Sequence, residues 1–451
     1  MSVSRGWRDD LKDMGQVAAP VVLINVGVQA MGVVDTLMVG KLGGAAIAAV
    51  ALGNFYFFNV CVFGIGLLFA LDPVVSQAVG AGDHEGVARA VQRGFVLAAF
   101  ISVVVMLALV PGEWLLTALG QPADVVVDTA VYTRRRLLGV VAFFAFNVLR
   151  QTLQAMGPVR PVIIAVVVAN GVNAFANWCL IFGNCGAPAM GVEGSGYATA
   201  IATWVMALVL GRLAWPLLRD VVRPWRAASL TWAPMSRMLR IGVPIGVQWF
   251  FEAFAFGVTA LFMGWMGTAS LAGHEIALSM AALTFMVPLG ISGAAAAVVG
   301  RAIGRGDLPA ARRDALAAIA CGVGFMCVSA VVFIAAPEWL TARYTTDAST
   351  VAVAVALVPL AGWFQVFDGL QAVTSGVLRG TGDTRVPAML HLIAFWGIGI
   401  PLGYFLGFHT ALRERGLWMG LVAGLAAAAL LQSGRVVRRL RTDIVRLRID
   451  H

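Results

Sequence analysis

The stretch Val79-Gly80-Ala81-Gly82-Asp83 returns 224 residues later as Ile303-Gly304-Arg305-Gly306-Asp307. Further positions repeat at this spacing or one residue more: Pro20 with Pro244, Gly40 with Gly264, Gly43 with Gly267, Gly183 with Gly407, and 153–157 with 378–382. Self-similarity at a fixed spacing is typical of a duplicated structural unit. The sequence therefore predicts two related halves joined in tandem.

The composition of the chain indicates that both halves lie in a membrane. Of the 451 residues 60% are hydrophobic and only 12% are charged, whereas a soluble domain carries about 25% charged residues. Such a chain is explained by apolar stretches of about 20 residues that cross a membrane. Twelve spans are predicted: 16–38, 46–71, 92–111, 131–150, 160–183, 192–216, 240–263, 272–300, 315–336, 352–377, 387–408 and 416–434. The long, Gly-rich spans 46–71 and 272–300 suggest tilt.

The expected fold is an all-α polytopic membrane protein with two six-helix lobes. Six spans per half let both halves enter the membrane in the same sense, which predicts a pseudo-two-fold axis along the membrane normal. The predicted divisions are an N-tail (1–15), an N-lobe (16–216), a linker (217–239), a C-lobe (240–434) and a basic C-tail (435–451).

The distribution of lysine and arginine residues predicts the orientation of the chain in the membrane. With both termini on one side, that side receives 25 of the 32 lysines and arginines. The positive-inside rule therefore places both termini in the cytoplasm. The run Arg134–Arg136 opposes the rule locally.

Acidic residues inside spans are the strongest functional signal, because an ionisable group at membrane depth costs several kcal/mol. They are Asp35, Asp72, Glu252, Glu275 and Asp368. We expect them to bind protons, Na⁺ or a cationic substrate in turn. The alternative is a protonated acid that only joins neighbouring helices.

In the second half, Glu252 lies near the middle of span seven, among Trp249, Phe250 and Phe251, and Asp368 lies comparably deep in span ten. Glu275 opens span eight. Asp72 lies nearer the cytoplasmic end of span two. Three roles remain open for it: part of an inner gate, an ion pair with an arginine, or an acid at the membrane interface.

In the first half, Asp35 is the acid. Its expected partners are Asn170, Asn173 and Asn177, whose spacing puts them on one face of span five, and Thr199 and Thr203 form a similar stripe on span six. The alternative is that these amides only join helices. Under the 224-residue shift Glu252 corresponds to Val28 and Asp35 to Thr259, so the charges are not duplicated.

Several function classes lack support. The loops 79–83 and 303–307 lack the GKT or GKS of a phosphate-binding loop and are interpreted as tight turns. There is no H-E-x-x-H, nucleophile elbow or paired cysteine motif, so neither an enzyme nor a cofactor is expected, and no metal beyond a possible Na⁺. The basic residues lie at the ends of apolar segments, which argues against a nucleic-acid partner despite the net charge of +9.

Over residues 10–435 the chain resembles the multidrug and toxic compound extrusion (MATE) family in its bacterial NorM-like branch. The resemblance rests on stretches that occur in order along the twelve spans: 31–36 with Gly40, 63–70 with 73–77 and 80–82, Asn173 with 177–178, 196–200, 250–252, 272–278, and 368–371 with 378–380.

The resemblance implies a V of two six-helix lobes that exports organic cations and drugs against inward H⁺ or Na⁺. It implies an N-lobe cation or proton site at Asp35, Asn173, Asn177 and Thr199. A C-lobe cation and drug site would comprise Glu252, Asp368 and Glu275, with aromatics of the drug path nearby: Trp249, Phe250, Phe251 and Phe285. Glu275 stands where many NorM-like proteins have Gln, and Asp72 replaces an expected neutral residue, so the driving ion and stoichiometry stay open.

The function predicted is therefore a monomeric secondary antiporter of cationic amphipathic drugs that works by alternating access. Two alternatives remain. A lipid-linked oligosaccharide flippase on a related scaffold would prefer a cationic cavity, and a non-transporting membrane assembly subunit would have no use for buried acids.

Overall fold

A computed structural model describes residues 6–118 and 120–447 of the chain, and within these ranges it contains helices and no strand. The α-helices are α1 (Trp7–Val39), α2 (Gly44–Leu68), α3 (Leu71–Gly80), α4 (His84–Leu109), α5 (Gly112–Ala118), α6 (Ala123–Arg136), α7 (Val140–Met156), α8 (Arg160–Phe182), α9 (Val192–Val222), α10 (Trp232–Met266), α11 (Thr268–Gly304), α12 (Leu308–Ala335), α13 (Pro337–Thr341), α14 (Ala348–Gly380), α15 (Arg385–Leu392), α16 (Ile400–Phe408) and α17 (Glu414–Arg441). A π-helical turn, Ile393–Gly399, joins α15 to α16.

Twelve helical segments of the described residues are long and apolar enough to cross a membrane, which confirms the predicted number of spans. They are Trp7–Leu42, Gly44–Gly80, His84–Leu109, Val125–Met156, Arg160–Phe182, Val192–Val222, Trp232–Met266, Thr268–Gly304, Leu308–Ala335, Ala348–Gly380, Arg385–Phe408 and Glu414–Arg441.

The second of these segments extends beyond the predicted span 46–71, because a second helix, α3, continues it to Gly80. It is interrupted between α2 and α3, immediately before Asp72 and Pro73. Proline lacks an N–H, and its ring collides with the carbonyl four residues earlier, which kinks or interrupts a helix; here the helix is interrupted. The equivalent position in the second half is Ala297, and there α11 continues without a break.

The duplicated loops are tight turns, as predicted. Gly82 and Gly306 both adopt positive φ, at +69° and +76°, a conformation that glycine adopts without steric cost. Asp83 and Asp307 then begin α4 and α12, each accepting a hydrogen bond from a backbone N–H three residues later, at 2.7 and 2.9 Å. The two repeats therefore have the same local structure at these turns.

The chain divides into two compact units. Unit 1 is the described part of Met1–Val22 together with Val247–Leu447, and unit 2 contains Leu23–Gly246. The boundaries therefore lie inside α1 and α10, shortly after Pro20 and Pro244, rather than in the linker 217–239.

Equivalent close contacts explain this division. Within unit 2, a Cβ on Gly66 would lie 2.4 Å from the Cα of Gly246. Within unit 1, a Cβ on Gly290 would lie 2.5 Å from Val22. These two pairs are related by the 224-residue shift, so the first helix of each half packs by its amino-terminal part against a helix of the other half.

Small residues also let helices approach closely elsewhere. In unit 1, glycines at four-residue spacing on the π-helical turn and α16 face a matching row on α17, and a Cβ on Gly420 would lie 2.3 Å from the Cα of Gly403. In unit 2, Gly196 on α9 packs against a different helix, α6, where a Cβ would lie 2.7 Å from the carbonyl oxygen of Tyr132. Such close backbone approach is typical of packing between membrane helices.

The run of three arginines has local partners in unit 2. Arg134 forms an ion pair with Glu113 at 2.9 Å, and Arg135 with Glu193 at 2.6 Å. Arg136 hydrogen-bonds the Asn54 side chain and lies over the Phe57 ring, 3.9 Å from its centroid.

Candidate functional site

Unit 2 contains the site around Asp35, whose side chain lies on α1 and is buried. Its Oδ1 accepts hydrogen bonds from Asn173 Nδ2 at 2.9 Å and Asn177 Nδ2 at 2.7 Å, both on α8. Its Oδ2 lies 2.6 Å from the Thr199 hydroxyl on α9. The structure therefore brings together all four residues predicted for the N-half site.

Two predicted neighbours of Asp35 bond elsewhere. Asn170 donates to the carbonyl oxygens of Gly27, at 2.8 Å, and Val166, at 2.9 Å. It lies almost a full turn from Asn173 on the helix, and this offset directs its amide to the α1 backbone rather than to the carboxyl group. The Thr203 hydroxyl donates to the carbonyl of Thr199 one turn earlier, at 2.7 Å.

The Thr199 hydroxyl can serve both protonation states of Asp35. Its oxygen lies 2.6 Å from Asp35 Oδ2 and 3.0 Å from the carbonyl oxygen of Ser195. A hydroxyl has one proton to donate. It can donate to an ionised carboxylate, or it can accept from a protonated carboxyl group while it donates to Ser195.

Sequence reasoning missed the residues behind Thr199. The hydroxyl of the fully buried Tyr132 lies near Thr199, donates to Asn54 Oδ1 at 3.2 Å and accepts from the Arg136 guanidinium at 3.5 Å. A tyrosine two residues before three arginines, inside a predicted span, was the sequence signal for this network.

Unit 1 contains the second acidic site, formed by Glu252 on α10 and the buried Asp368 on α14. The two carboxyl groups lie within electrostatic range of each other. Glu252 Oε2 lies 3.4 Å from Nε2 of the buried His391 on α15. His391 was missed, because a lone histidine in an apolar span gives no indication of its partner.

The proton position on His391 follows from its other neighbour. The Gln371 side-chain amide nitrogen lies 3.2 Å from His391 Nδ1. An amide NH₂ group can only donate, so Nδ1 accepts and the ring proton of neutral His391 lies on Nε2, facing Glu252. Phe395 stacks on the imidazole with centroids 4.5 Å apart.

Glu275 is not brought to this pair. Its side chain is exposed, and within residues 6–118 and 120–447 no hydrogen bond or ion pair links it to Glu252 or Asp368. Its neighbour His274 is buried and accepts a hydrogen bond from Trp418 Nε1 at 3.1 Å. Consecutive helical residues point about 100° apart, so a buried His274 leaves Glu275 on an exposed face.

Asp72 has its own surroundings in unit 2. It is buried in the first turn of α3, where the helix dipole favours a negative charge. Arg150 on α7 lies within electrostatic range of it, and that guanidinium also hydrogen-bonds the Asn25 side chain. Asp72 therefore belongs to a different cluster from Asp35.

Aromatic rings surround Glu252, but not in the set predicted. Phe250 and Phe254 are stacked with centroids 6.3 Å apart, and Phe254 stacks on Trp396 at 5.5 Å. Phe251 contacts Trp396 by its edge. Trp249 is half-buried, and Phe285 is half-buried on α11 with no ring contact to this group in the described residues. Trp396 was missed by sequence reasoning.

The three deep acids share one electrostatic property. Among the described residues, no lysine or arginine forms an ion pair with Asp35, Glu252 or Asp368. The same residues contain no cluster of three His, Cys, Asp or Glu side chains that could bind a metal ion. Neutral groups hydrogen-bond Asp35, and Arg136 lies within its electrostatic range without forming an ion pair.

Comparison with known proteins agrees with this arrangement. The MatE family model matches residues 20–179 and 244–405, one segment in each half. The chain belongs to the MatE family. The two matched segments correspond to the repeat found in the sequence.

Relatives of this MatE chain match over nearly its whole length. It is 36% identical to the probable multidrug resistance protein NorM of Mesorhizobium japonicum, covering 96% of the chain and 95% of the relative. It is 37% identical to NorM of Burkholderia vietnamiensis, covering 94% and 93%, and 33% identical to MdtK of Edwardsiella ictaluri, covering 95% of each.

Solved structures share the fold. The eukaryotic MATE transporter AtDTX14 matches with a TM-score of 0.90 and 21% identity over 97% of this chain and 98% of that one. An outward-facing multidrug resistance MATE transporter matches with a TM-score of 0.85 and 19% identity over 96% of both chains. At these identities the likeness concerns the fold alone.

Proposed function

We propose that this protein is a secondary active antiporter that exports cationic amphipathic drugs in exchange for inward H⁺ or Na⁺ by alternating access. The observation that carries the proposal is that Asp35 and Asp368 are buried and Glu252 is half-buried within spans, without an ion pair to lysine or arginine in the described residues. A buried carboxylate without a counter-charge requires a cation or a proton. The multidrug resistance names of the relatives support the same function.

Asp35 serves as an exchange site for the driving ion. When Asp35 is ionised, three neutral donors stabilise it. When it binds a proton, Thr199 reverses its hydrogen bond and donates to Ser195. The change of state therefore needs no rearrangement of the backbone, and the oxygens of Asn173 and Asn177 are hard ligands of the kind that would suit a small cation.

Glu252 and Asp368 serve as the site at which drug and ion compete. Two carboxyl groups within electrostatic range favour binding of positive charge, whether as a drug, a proton or Na⁺. Competition couples the two flows, because a ligand shifts an equilibrium only by its differential affinity for the two states. Drug bound from the inside is displaced by the ion from the outside.

The protein is further proposed to be a monomer in the bacterial inner membrane, with both termini in the cytoplasm, as the bias of basic residues indicates. Carboxy-terminal fusions test this: green fluorescent protein should fluoresce there and alkaline phosphatase should be inactive. The reverse pattern would contradict the orientation.

Purified protein in proteoliposomes tests the function. Ethidium movement is followed under an imposed ΔpH alone and under an imposed ΔNa⁺ alone, with a pH-sensitive dye in the lumen to detect counterflow of protons. We expect ethidium to move against its gradient in at least one arm, and the Glu252→Gln/Asp368→Asn variant to lose this movement.

Asp220→Asn is the matched control, since Asp220 is an exposed carboxylate at the end of α9. It should transport like the wild type. No ethidium movement in either arm would reject the antiporter, and scrambling of a labelled lipid-linked oligosaccharide instead would favour the flippase.

A further inference from the structure

Two cysteines lie together where α8 ends and the loop to α9 begins. Cys179 lies in the last turn of α8, and Cys185 lies in the short turn Asn184–Gly186, beyond the end of the membrane span at Phe182. Their thiol groups are close enough to interact with each other. Both are free thiols in the structure, Cys179 half-buried and Cys185 exposed, so the pair is accessible to a reagent at the surface.

The backbone of the loop 183–191 turns Cys185 back toward α8. Gly183 and Cys185 both adopt left-handed conformations, with φ of +76° and +57°. A residue other than glycine is uncommon in this conformation and keeps it only where the surrounding structure holds it there.

Hydrogen bonds supply that support. Four consecutive carbonyl oxygens at the end of α8 accept hydrogen bonds from the loop, at 2.8–3.2 Å. The pairs, donor first, are Asn184 Nδ2 with Trp178, Gly183 N with Cys179, Met190 N with Leu180, and Gly191 N with Ile181. The proximity of the two thiols is therefore fixed by the folded backbone.

We propose that Cys179 and Cys185 form an intramolecular disulfide, which clamps the loop 183–191 to the end of α8. The inference rests on the proposed orientation, because this loop follows the fifth span and lies outside the cytoplasm when both termini lie inside it. The loop contains no lysine or arginine, as expected on that side. Disulfides form and persist in the bacterial periplasm.

The disulfide forms by exchange with a protein disulfide, the oxidant of that compartment. The exposed Cys185 thiolate attacks one sulfur of the donor disulfide, which forms a mixed disulfide and releases the other donor sulfur as a thiolate. The Cys179 thiolate then attacks the Cys185 sulfur and releases the second donor sulfur. Two thiols of this chain are thereby oxidised by two electrons, and the donor leaves as a dithiol with the two protons.

A second cysteine pair with the same spacing serves as an internal control. Cys321 and Cys327 both lie inside α12. Residues six apart in a regular helix are separated by about 9 Å along its axis and point about 120° apart. A disulfide requires Cα atoms within about 7 Å, so this pair cannot form one.

The clamp acts next to the first acidic site. Asn177, which donates to Asp35, lies two residues before Cys179, and the loop leads into α9, which provides Thr199. The disulfide therefore stabilises the connection between the two helices that provide the donors to Asp35.

Differential thiol labelling tests whether the disulfide exists in cells. Cells that express the full chain are quenched with acid, and free thiols are blocked with N-ethylmaleimide. The purified protein is then reduced and labelled with iodoacetamide. Peptide mass spectrometry should find iodoacetamide at Cys179 and Cys185, and N-ethylmaleimide at Cys321 and Cys327.

Oxidised glutathione, added to purified and reduced protein, tests the exchange without the cell. The wild-type peptide that contains both cysteines should lose about 2 Da and retain no glutathione. Cys179→Ser should retain glutathione at Cys185, because no second thiol displaces it. The melting temperature of the oxidised wild type should lie about 1–4 °C above that of the reduced form, and Cys179→Ser/Cys185→Ser should not respond to reductant.

Three results would overturn the inference: glutathione that stays on Cys185 in the wild type, N-ethylmaleimide at both Cys179 and Cys185 in cells, or equal oxidation of Cys321 and Cys327. After the second result, the carboxy-terminal fusions would show whether the orientation is the cause. Failure of wild-type protein to move ethidium under either ion gradient would instead reject the proposed transport function, with no bearing on the disulfide.

Discussion

The two acidic sites differ in the groups that surround their carboxyl oxygens. Asp35 in unit 2 has both carboxyl oxygens occupied by neutral donors from α8 and α9. In unit 1, Glu252 has only His391 at 3.4 Å, and within the described residues Asp368 has no hydrogen bond. A carboxyl group already surrounded by donors suits a small ion, whereas a sparsely bonded pair leaves room for a large ligand.

The two acidic sites are formed by residues that the repeat does not duplicate. Under the 224-residue shift Thr199 corresponds to Ala423, and His391 corresponds to Val167, which is 65% exposed. Duplicated turns, caps and glycine contacts stayed equivalent while the site residues diverged. We infer that the scaffold is shared and that each half carries one of the two binding tasks.

The largest effect is expected from Asp35→Asn. The substitution keeps an oxygen that Asn173 and Asn177 can bond, so folding should be preserved, but it removes the only acid of the N-half site. Ethidium efflux from proteoliposomes should fall to the rate of empty vesicles under both ΔpH and ΔNa⁺. Substantial gradient-driven efflux by this variant would contradict the role of Asp35 as the exchange site for the driving ion.

Single substitutions at the second site should have smaller effects, because two acids share it. Glu252→Gln or Asp368→Asn alone should leave measurable efflux, reduced about tenfold, while the double variant should be inactive. Efflux rates over a range of ethidium concentrations would check this. Complete loss in either single variant would show that the acids do not substitute for one another.

One tightly packed glycine in each half should be sensitive to an added methyl group, since Gly196 lies against Tyr132 and Gly420 against Gly403. Gly196→Ala and Gly420→Ala each force a Cβ against backbone and should lower stability by about 1–3 kcal/mol. Gly171→Ala and Gly434→Ala are controls, since a Cβ there meets no atom within 4 Å. Thermal unfolding in detergent measures the effect, and unchanged stability at either tight position would contradict the close packing there.

Gln92 is a scaffold feature of the first half alone. Its Oε1 accepts from Arg226 N at 2.9 Å and Ser229 Oγ at 2.8 Å, which anchors the linker to α4; the equivalent residue is Leu316. Gln92→Leu should cost about 1–3 kcal/mol and speed trypsin cleavage after Arg226. The exposed Gln121→Leu should not, and unchanged cleavage in Gln92→Leu would argue against the anchor.

The smallest effect is expected at Asp347, an exposed acid that begins α14. Hydrogen bonds from Ser349 and Thr350 lower its pKa to about 2. A lowered pKa means that the stabilisation is fully present above the usual value near 3.8 and is lost as pH falls toward 2. The melting difference between wild type and Asp347→Ala should be constant from pH 7 to 5, and a change within that range would contradict the assignment.

Much of the architecture could be predicted from local signals. The apolar stretches indicated twelve spans, and the repeated glycines and Asp83 with Asp307 indicated equivalent turns. Asp35 with Asn173, Asn177 and Thr199 followed from helical spacing and the resemblance. The second span was predicted to end at residue 71, so its continuation as α3 to Gly80 was missed, because Asp72 and Pro73 mark the end of the apolar stretch.

The surroundings of Glu252 could not be predicted because they depend on irregular backbone. Reading α15 and α16 as one regular helix separates His391 from Trp396 by about 140°, so no periodic pattern indicates that both contact α10. Glu275 was grouped with Glu252 by resemblance, and only the burial of His274 revealed that it points elsewhere.

Ethidium binding to purified protein in detergent tests the division of tasks most directly. The account predicts that Asp35→Asn binds within about threefold of wild type, although it cannot transport. Glu252→Gln/Asp368→Asn should bind at least about 30-fold more weakly, since removing a buried charge partner costs at least ~2 kcal/mol. Equal loss in both variants, or wild-type affinity in the double variant, would contradict it.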